Sequence, residues 1–242
     1  MNEENKIRER IQKNLAKVKD ERIKQELEQE ILMDDFDGLL FRINHKHEDL
    51  VEEAVQKARK IKLLEGWPEN KEKFWDFEAT NWKLRIPTHI KEFISKELNK
   101  KIKEKNLDIG SGSTNYAKNF ASIDLSYEML EWNSCKNKAQ ANAEMLPFKN
   151  KTFDTATLIF VANYVQNLGK VAKELHRVLK KKGKAIIVQS AKPVHKLHRL
   201  AENKEFSIEK LNNSLKKAGF KTSTEKKKTE NTELVFIEAT NP

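Results

Sequence analysis

Between Asn106 and Gln189 the sequence changes rhythm, and that change limits the fold more than any other feature. Short β-rich runs at Leu107–Ile109, Ser122–Leu125, Thr155–Val161 and Ala185–Gln189 are separated by helical stretches. Such alternation predicts βαβ units and a parallel sheet. Beyond it, a predicted helix over 207–218 stops at Gly219, and runs 220–225 and 233–239 follow with only a polar turn between them. Two strands with no helix between them pair as an antiparallel hairpin. The expected architecture is a mostly parallel α/β sheet closed by a C-terminal antiparallel β-hairpin.

The N-terminal part is read as helical. Apolar residues Ile7, Ile11, Leu15, Val18, Ile23, Leu27 and Ile31 recur at steps of mostly three and four, predicting one amphipathic helix over 3–33. The step of five between Val18 and Ile23 disfavours a long coiled coil. Gly38 within Asp34–Gly38 predicts a turn, and that segment lacks the ligand spacing of a calcium loop. A second helix is expected over 48–64, ending at Gly66-Trp67-Pro68. The expected division is 1–66 as a helical extension, 67–104 as an aromatic linker or lid with a lead-in helix, and 105–242 as the sheet domain. Phe74, Trp75, Phe77 and Trp82 crowd the middle segment. They read either as a clasp for the extension or as a lid over a ligand pocket.

Composition narrows the setting. The opening residues form no apolar leader, and no run of about 18 apolar residues occurs, so a cytoplasmic chain without membrane association is expected. A single cysteine, Cys135, excludes an internal disulfide and any multi-cysteine metal site. The net charge of +10 is confined to the C-terminal third, where residues 170–228 carry +13. That excess reads either as a solvated lysine-rich face or as a patch for nucleic acid or an anionic substrate.

The strongest local signal is Asn106-Leu107-Asp108-Ile109-Gly110-Ser111-Gly112-Ser113, a strand leading through an acid into glycines, with a helix start expected behind them. Glycines there allow close approach of backbone to a ligand at the carboxyl end of a strand. Asp124 ends the next strand, where a carboxylate can accept from both ribose hydroxyls. A dinucleotide fingerprint needs a third glycine, and Asn115 stands in its place. Asp108 would repel a pyrophosphate but suits the ammonium group of a methionine moiety. Charge therefore favours S-adenosylmethionine over a nicotinamide dinucleotide.

Residues 108–189 resemble a Rossmann-like class I methyltransferase of the small-molecule (type 11) kind. The resemblance rests on Leu107–Ser113, on Ile123-Asp124-Leu125-Ser126 with Glu128-Met129-Leu130, on Asn142–Phe148, on Phe153-Asp154, and on Glu174–Lys180 with Gly183. It implies cofactor contacts by Asp108, Gly110, Ser111, Gly112, Asp124, Leu125, Asn142, Ala143, Glu144 and Phe160. Two departures stand out. Asp124 follows Gly112 by only 12 positions, against about 20 in the usual fold, so the first helix is expected to be short. Asn142 replaces the usual acid, and its carbonyl can still accept from an adenine amine.

The resemblance implies direct displacement of a sulfonium methyl, which needs orientation more than a catalytic side chain. Val161–Val165 lacks the Asn-Pro-Pro-Tyr type of motif that grips exocyclic or amide nitrogens, and Cys135 lacks the Pro-Cys context of cytosine enzymes. If a base is required, His195, His198 and Tyr164 are the candidates, the two histidines sharing one helical face at i, i+3. They offer no metal site, because no third ligand is visible. The substrate is expected beside Trp75, Asn163, Tyr164 and His195. Three functions remain open: a methyltransferase for a small, possibly anionic molecule, an RNA or protein methyltransferase, and a non-catalytic subunit that keeps the fold. A homodimer through the N-terminal helices is also open.

Overall fold

The computed structural model describes residues 3–44, 47–118, 120–191, 196–230 and 232–242. The chain divides into two compact units, Met1–Pro68 and Glu69–Pro242.

The first unit is helical. Its α1 spans Glu3–Leu15 and α2 spans Glu21–Asn44, so the single helix expected over 3–33 is two. The break falls at the irregular step before Ile23. There Asp20 Oδ1 accepts the N–H groups of Arg22 at 2.9 Å and Ile23 at 3.2 Å, capping a new helix start. The turn expected at Gly38 is also absent, because α2 runs through it. Buried Phe36, Leu39, Leu40 and Ile43 hold that helix together across the glycine. The helix expected over 48–64 is reduced to α3, Val51–Ala58, with a short 3-10 turn at each side. Its Val51, Ala54, Val55 and Ala58 are buried. Ile11, Ile23 and Leu27 remain 37–49% exposed, so their stripe is not consumed by this packing.

The second unit opens with α4, Lys71–Arg85, and α5, Thr88–Asn99, and the short α6, Tyr127–Glu131, comes later. A seven-stranded sheet follows: β1 Asn106–Ile109, β2 Ala121–Asp124, β3 Lys138–Gln140, β4 Phe153–Ile159, β5 Leu179–Ser190, β6 Lys221–Lys228 and β7 Glu233–Thr240. The order is β3-β2-β1-β4-β5-β7-β6. The first five strands are mutually parallel, and β7 pairs antiparallel with both β5 and β6. The Rossmann-like sheet and its terminal hairpin are thus as the sequence led one to expect. β3 was not legible, since Lys-Ala-Gln is fully exposed and owes its conformation to pairing with β2.

Both sheet faces are covered. On one, α7 (Leu168–Val178) buries Leu168, Val171, Ala172, Leu175 and Val178, spaced at helical steps. With α9 (Ile208–Lys217) it joins the core containing Leu107, Ile109, Leu158 and Ile237. On the other, Ile90, Ile94 and Leu98 of α5 pack with Tyr116, Ile186 and Phe236. The first crossover corrects the sequence reading. Among the described residues between β1 and β2 there is no helix, only turns, and buried Tyr116 packs beside α5. Eleven residues are too few for both a helix and the turns that return the chain to β2.

Part of the basic third is paired within the sheet unit. Lys180, Lys184, Lys226 and Lys227 pair with Asp154, Glu238, Glu233 and Glu97 respectively. Edge strand β6 carries no apolar side chain, and lysines on such an edge discourage further strand pairing.

Candidate functional site

The carboxyl ends of β1, β2 and β4 open onto a cavity enclosing about 770 Å³, part of it open to solvent. Gly110 and Gly112 form one side with φ of +64° and +55°, conformations that side chains disfavour. Next to them Asp124 is buried. Its Oδ2 accepts the Gly112 N–H at 2.8 Å and its Oδ1 accepts the Ser126 N–H at 2.9 Å. Burial pushes the acid up to about 6, with Asp76 adding to the shift and the backbone donors opposing it.

The segment after β3 supplies a second wall through Ala141, Asn142, Ala143 and Glu144. Asn142 Oδ1 accepts the Glu144 N–H at 2.8 Å, which tightens the turn. Glu144 Oε1 in turn accepts the N–H groups of Gln166 at 3.0 Å and Asn167 at 2.8 Å. The wall is thereby fastened to the loop that follows β4. At the end of β4, Phe160 lines the cavity with φ of +59°, a strained conformation for a residue with a side chain.

The third wall is α4, capped by Asn70, whose side chain accepts the Lys73 N–H. Lys71, Trp75 and Trp82 line the cavity. The Trp75 ring meets Tyr164 edge-on at 4.7 Å and Trp82 at 5.4 Å. Trp82 stands over the glycine loop, so that a Cβ on Gly112 would sit 3.2 Å from its indole. Polar bonds tie the helix along its length. Glu72 Oε1 accepts from the Gln140 amide at 2.8 Å, Asp76 Oδ1 accepts from Ser126 Oγ at 2.6 Å, and Lys71 donates to the Tyr164 carbonyl at 2.9 Å. Of the two sequence readings of the aromatic stretch, the second unit bears the pocket wall.

The expected residues divide by position. Gly110, Gly112, Asp124, Leu125, Asn142, Ala143, Glu144, Phe160, Trp75 and Tyr164 all line the cavity. Asp108 is buried beside it, where Oδ1 accepts from Thr157 Oγ1 at 2.8 Å across β1 and β4. The Ser111 hydroxyl accepts from the Asn133 amide at 3.2 Å. Asn163 is buried and directs its amide to Glu202 at 3.4 Å. His195 lies outside the described residues. His198, on α8 (Lys196–Arg199), is buried with Nε2 3.0 Å from Glu78 Oε2. Burial pushes the Tyr164 phenol up, so it stays protonated near neutrality. Among the described residues no group of three or more His, Cys, Asp or Glu is arranged to hold a metal, and no helix is long and apolar enough to cross a membrane.

Sequence reasoning missed Lys71 and Val161 as lining residues and carried Trp82 only within the aromatic stretch read as a clasp or a lid. The missed signal is the spacing Trp75, Glu78, Trp82, Arg85, which marks one face of a helix.

Comparisons with known proteins agree with this arrangement. Residues 107–187 match the methyltransferase domain family. An uncharacterized protein of Methanocaldococcus jannaschii is 36% identical over 120 residues, covering 46% of each chain. The ubiquinone/menaquinone biosynthesis C-methyltransferase UbiE of Haemophilus ducreyi is 31% identical over 111 residues, covering 38% of this chain and 43% of that protein. The chain thus spans less than half the length of these curated relatives. A solved structure from Thermotoga maritima, described as an S-adenosylmethionine-dependent methyltransferase and possible histamine N-methyltransferase, shares the fold. Its TM-score is 0.58 at 19% identity, over 71% of this chain and 99% of that one. The family match and the strand order agree: residues 107–187 are a methyltransferase domain of that family.

Proposed function

We propose that this chain transfers a methyl group from S-adenosylmethionine to a small-molecule acceptor by direct displacement. The observation that carries the reading is one cavity joining the glycine loop, Asp124, Asn142–Glu144 and an aromatic wall at the carboxyl ends of the strands. The residues present fit the cofactor. Gly110 and Gly112 line the cavity with φ of +64° and +55°, so it is backbone that borders the space there. The Ser113 and Thr114 hydroxyls just beyond them are buried without a hydrogen-bond partner among the described residues.

In this reading Asp124 accepts from the ribose hydroxyls, and Asn142, Ala143 and Glu144 border the adenine. When bound, the cofactor supplies an electrophilic methyl group on a sulfonium. The protein orients: Trp75, Trp82 and Phe160 exclude water, and holding nucleophile and methyl in line supplies the rate. Tyr164, protonated at neutral pH, donates a hydrogen bond rather than acting as a base. Lys71 is the one cation among the described lining residues and supports an acceptor that carries an acidic group. The names of the relatives give the first acceptors to screen, quinone-type C-methyl acceptors and histamine-type amines.

The test is calorimetric titration with S-adenosylmethionine and S-adenosylhomocysteine, with NAD as the control. Micromolar adenosyl binding that Asp124→Ala weakens by about tenfold or more is the expected result. No binding at millimolar adenosyl ligand, or preference for NAD, would refute it.

A further inference from the structure

Behind the aromatic wall lies a set of buried charged and titratable groups that methyl transfer does not use. Glu78 is 2% exposed, and Arg85 grips it with two nitrogens: Nε donates to Oε2 at 2.6 Å and Nη2 donates to Oε1 at 2.9 Å. His198 brings Nε2 to 3.0 Å from the same Oε2. Trp75, Glu78, Trp82 and Arg85 follow one another at steps of three, four and three, which in α4 places them along one face. The imidazole of His198 meets that face between the two indoles. Its centroid is 5.8 Å from the Trp75 ring and 5.5 Å from the Trp82 ring, with Phe74 at 6.2 Å.

Both cavity-lining indoles therefore rest on one imidazole, and Glu78 fixes the plane of that imidazole. A carboxylate in such a layer is costly to bury, and an apolar residue would pack there as well. Burial alone would raise the Glu78 acid, yet bonds from His198 and Arg85 overcome it and hold the group below its usual range. What the ionic group adds over an apolar one is direction, because the forked guanidinium and the imidazole allow few geometries. The direction is passed to both ends of the cavity. Trp75 abuts Tyr164, and Trp82 abuts Gly112.

We propose that Glu78, Arg85 and His198 are positioning residues that lock the Trp75 and Trp82 indoles into the wall of the cofactor cavity. The proposal rests on the reading of that cavity given above. It moves His198 from a candidate base to a support, one layer behind the residues that would touch a ligand.

The test uses the full chain labelled with 5-fluorotryptophan, whose indoles are Trp67, Trp75, Trp82 and Trp132. Fluorine resonances are assigned with Trp75→Phe and Trp82→Phe, and S-adenosylhomocysteine affinity is measured by calorimetry. In His198→Ala the Trp75 and Trp82 signals should shift and broaden while Trp67 and Trp132 hold still, and affinity should fall about tenfold. His198→Gln, whose amide still donates to Glu78, should recover most of both. If His198→Ala does not fold, Glu78→Gln keeps the volume, removes the charge and is expected to move the same two signals. A folded variant with those signals unmoved, or with wild-type affinity, overturns the proposal. Wild-type protein that binds no S-adenosylhomocysteine would instead remove the cofactor reading, leaving the fluorine signals to decide whether the indoles are positioned as described.

Discussion

The Asp124 carboxylate accepts the Gly112 N–H at 2.8 Å, so the acid that ends β2 also buckles the glycine loop that follows β1. Burial raises this acid to about 6. In the proposed complex its ionised form receives the ribose hydroxyls, and a proton would take one of those acceptor positions. Adenosyl affinity should be level above about pH 7 and weaken by up to about tenfold per unit as pH falls through 6. Binding near pH 6 should release a proton, seen as a dependence of the calorimetric heat on the buffer. The contribution of Asp124 to folded stability has the opposite sign. With a folded value above the unfolded one, ionisation costs stability as pH rises from about 4 through 6. Affinity that is flat from pH 5 to 8 would detach Asp124 from the ribose. Asp124→Ala should weaken binding by about 1.5–3 kcal/mol, the scale for hydrogen bonds to charged groups.

Gly110 is the tighter of the two loop glycines. A Cβ there would lie 2.5 Å from Val161 Cγ2, at a φ of +64° that already disfavours a side chain. Gly110→Ala should destabilise the sheet unit by about 2 kcal/mol or more, from left-handed strain of about 1–2 kcal/mol plus the clash. The two causes separate in a double-mutant cycle. Val161→Ala in the Gly110→Ala background should relieve the clash and leave the strain, whereas additive losses in denaturant unfolding would show that Val161 is not the obstacle.

Gly38 tests the opposite case, a glycine with no evident use. It sits inside α2, and a Cβ there would meet nothing within 4 Å. Gly38→Ala should stabilise the N-terminal unit by about 0.5–1 kcal/mol through helix propensity and a less free unfolded chain. The urea midpoint should rise with the slope unchanged. A lower midpoint would mean that the glycine serves a contact outside this chain.

The same glycine shows where sequence reading stops. Glycine beside three aspartates is turn chemistry, but Phe36, Leu39, Leu40 and Ile43 are buried together only in a helix, and tertiary packing overrides local preference. Strands β1, β2, β4 and β5 were legible because their apolar runs are short and bounded, and the hairpin because no helix fits between Gly219 and the apolar run of β7. β3 was not, since exposed Lys138–Gln140 carries no apolar signal and is imposed by its neighbour. In the cavity, Gly110, Gly112 and Asp124 announce themselves by residue type and spacing. Lys71 and Val161 do not, because only the folded helix and loop bring such ordinary residues to the wall.

Arg177 joins those walls to the body of the sheet unit. Its guanidinium donates to the carbonyls of Leu146 at 2.8 Å and Phe148 at 2.6 Å, and to Glu174 through Nε at 2.8 Å and Nη2 at 2.7 Å. Glu174 Oε2 accepts the Leu146 N–H at 2.6 Å, so two residues of α7 clamp the segment just beyond Ala143 and Glu144. A lysine offers a point charge in place of a fork and cannot hold two carbonyls and a carboxylate at once. Arg177→Lys should cost about 1–3 kcal/mol of stability. Amide exchange over 142–150 should rise, and adenosyl affinity should weaken because the segment proposed to border the adenine is no longer held at one position. The decisive comparison is exchange with and without S-adenosylhomocysteine. Ligand should restore protection to the loosened segment in Arg177→Lys, and a segment that stays unprotected when ligand is bound would place the adenine elsewhere.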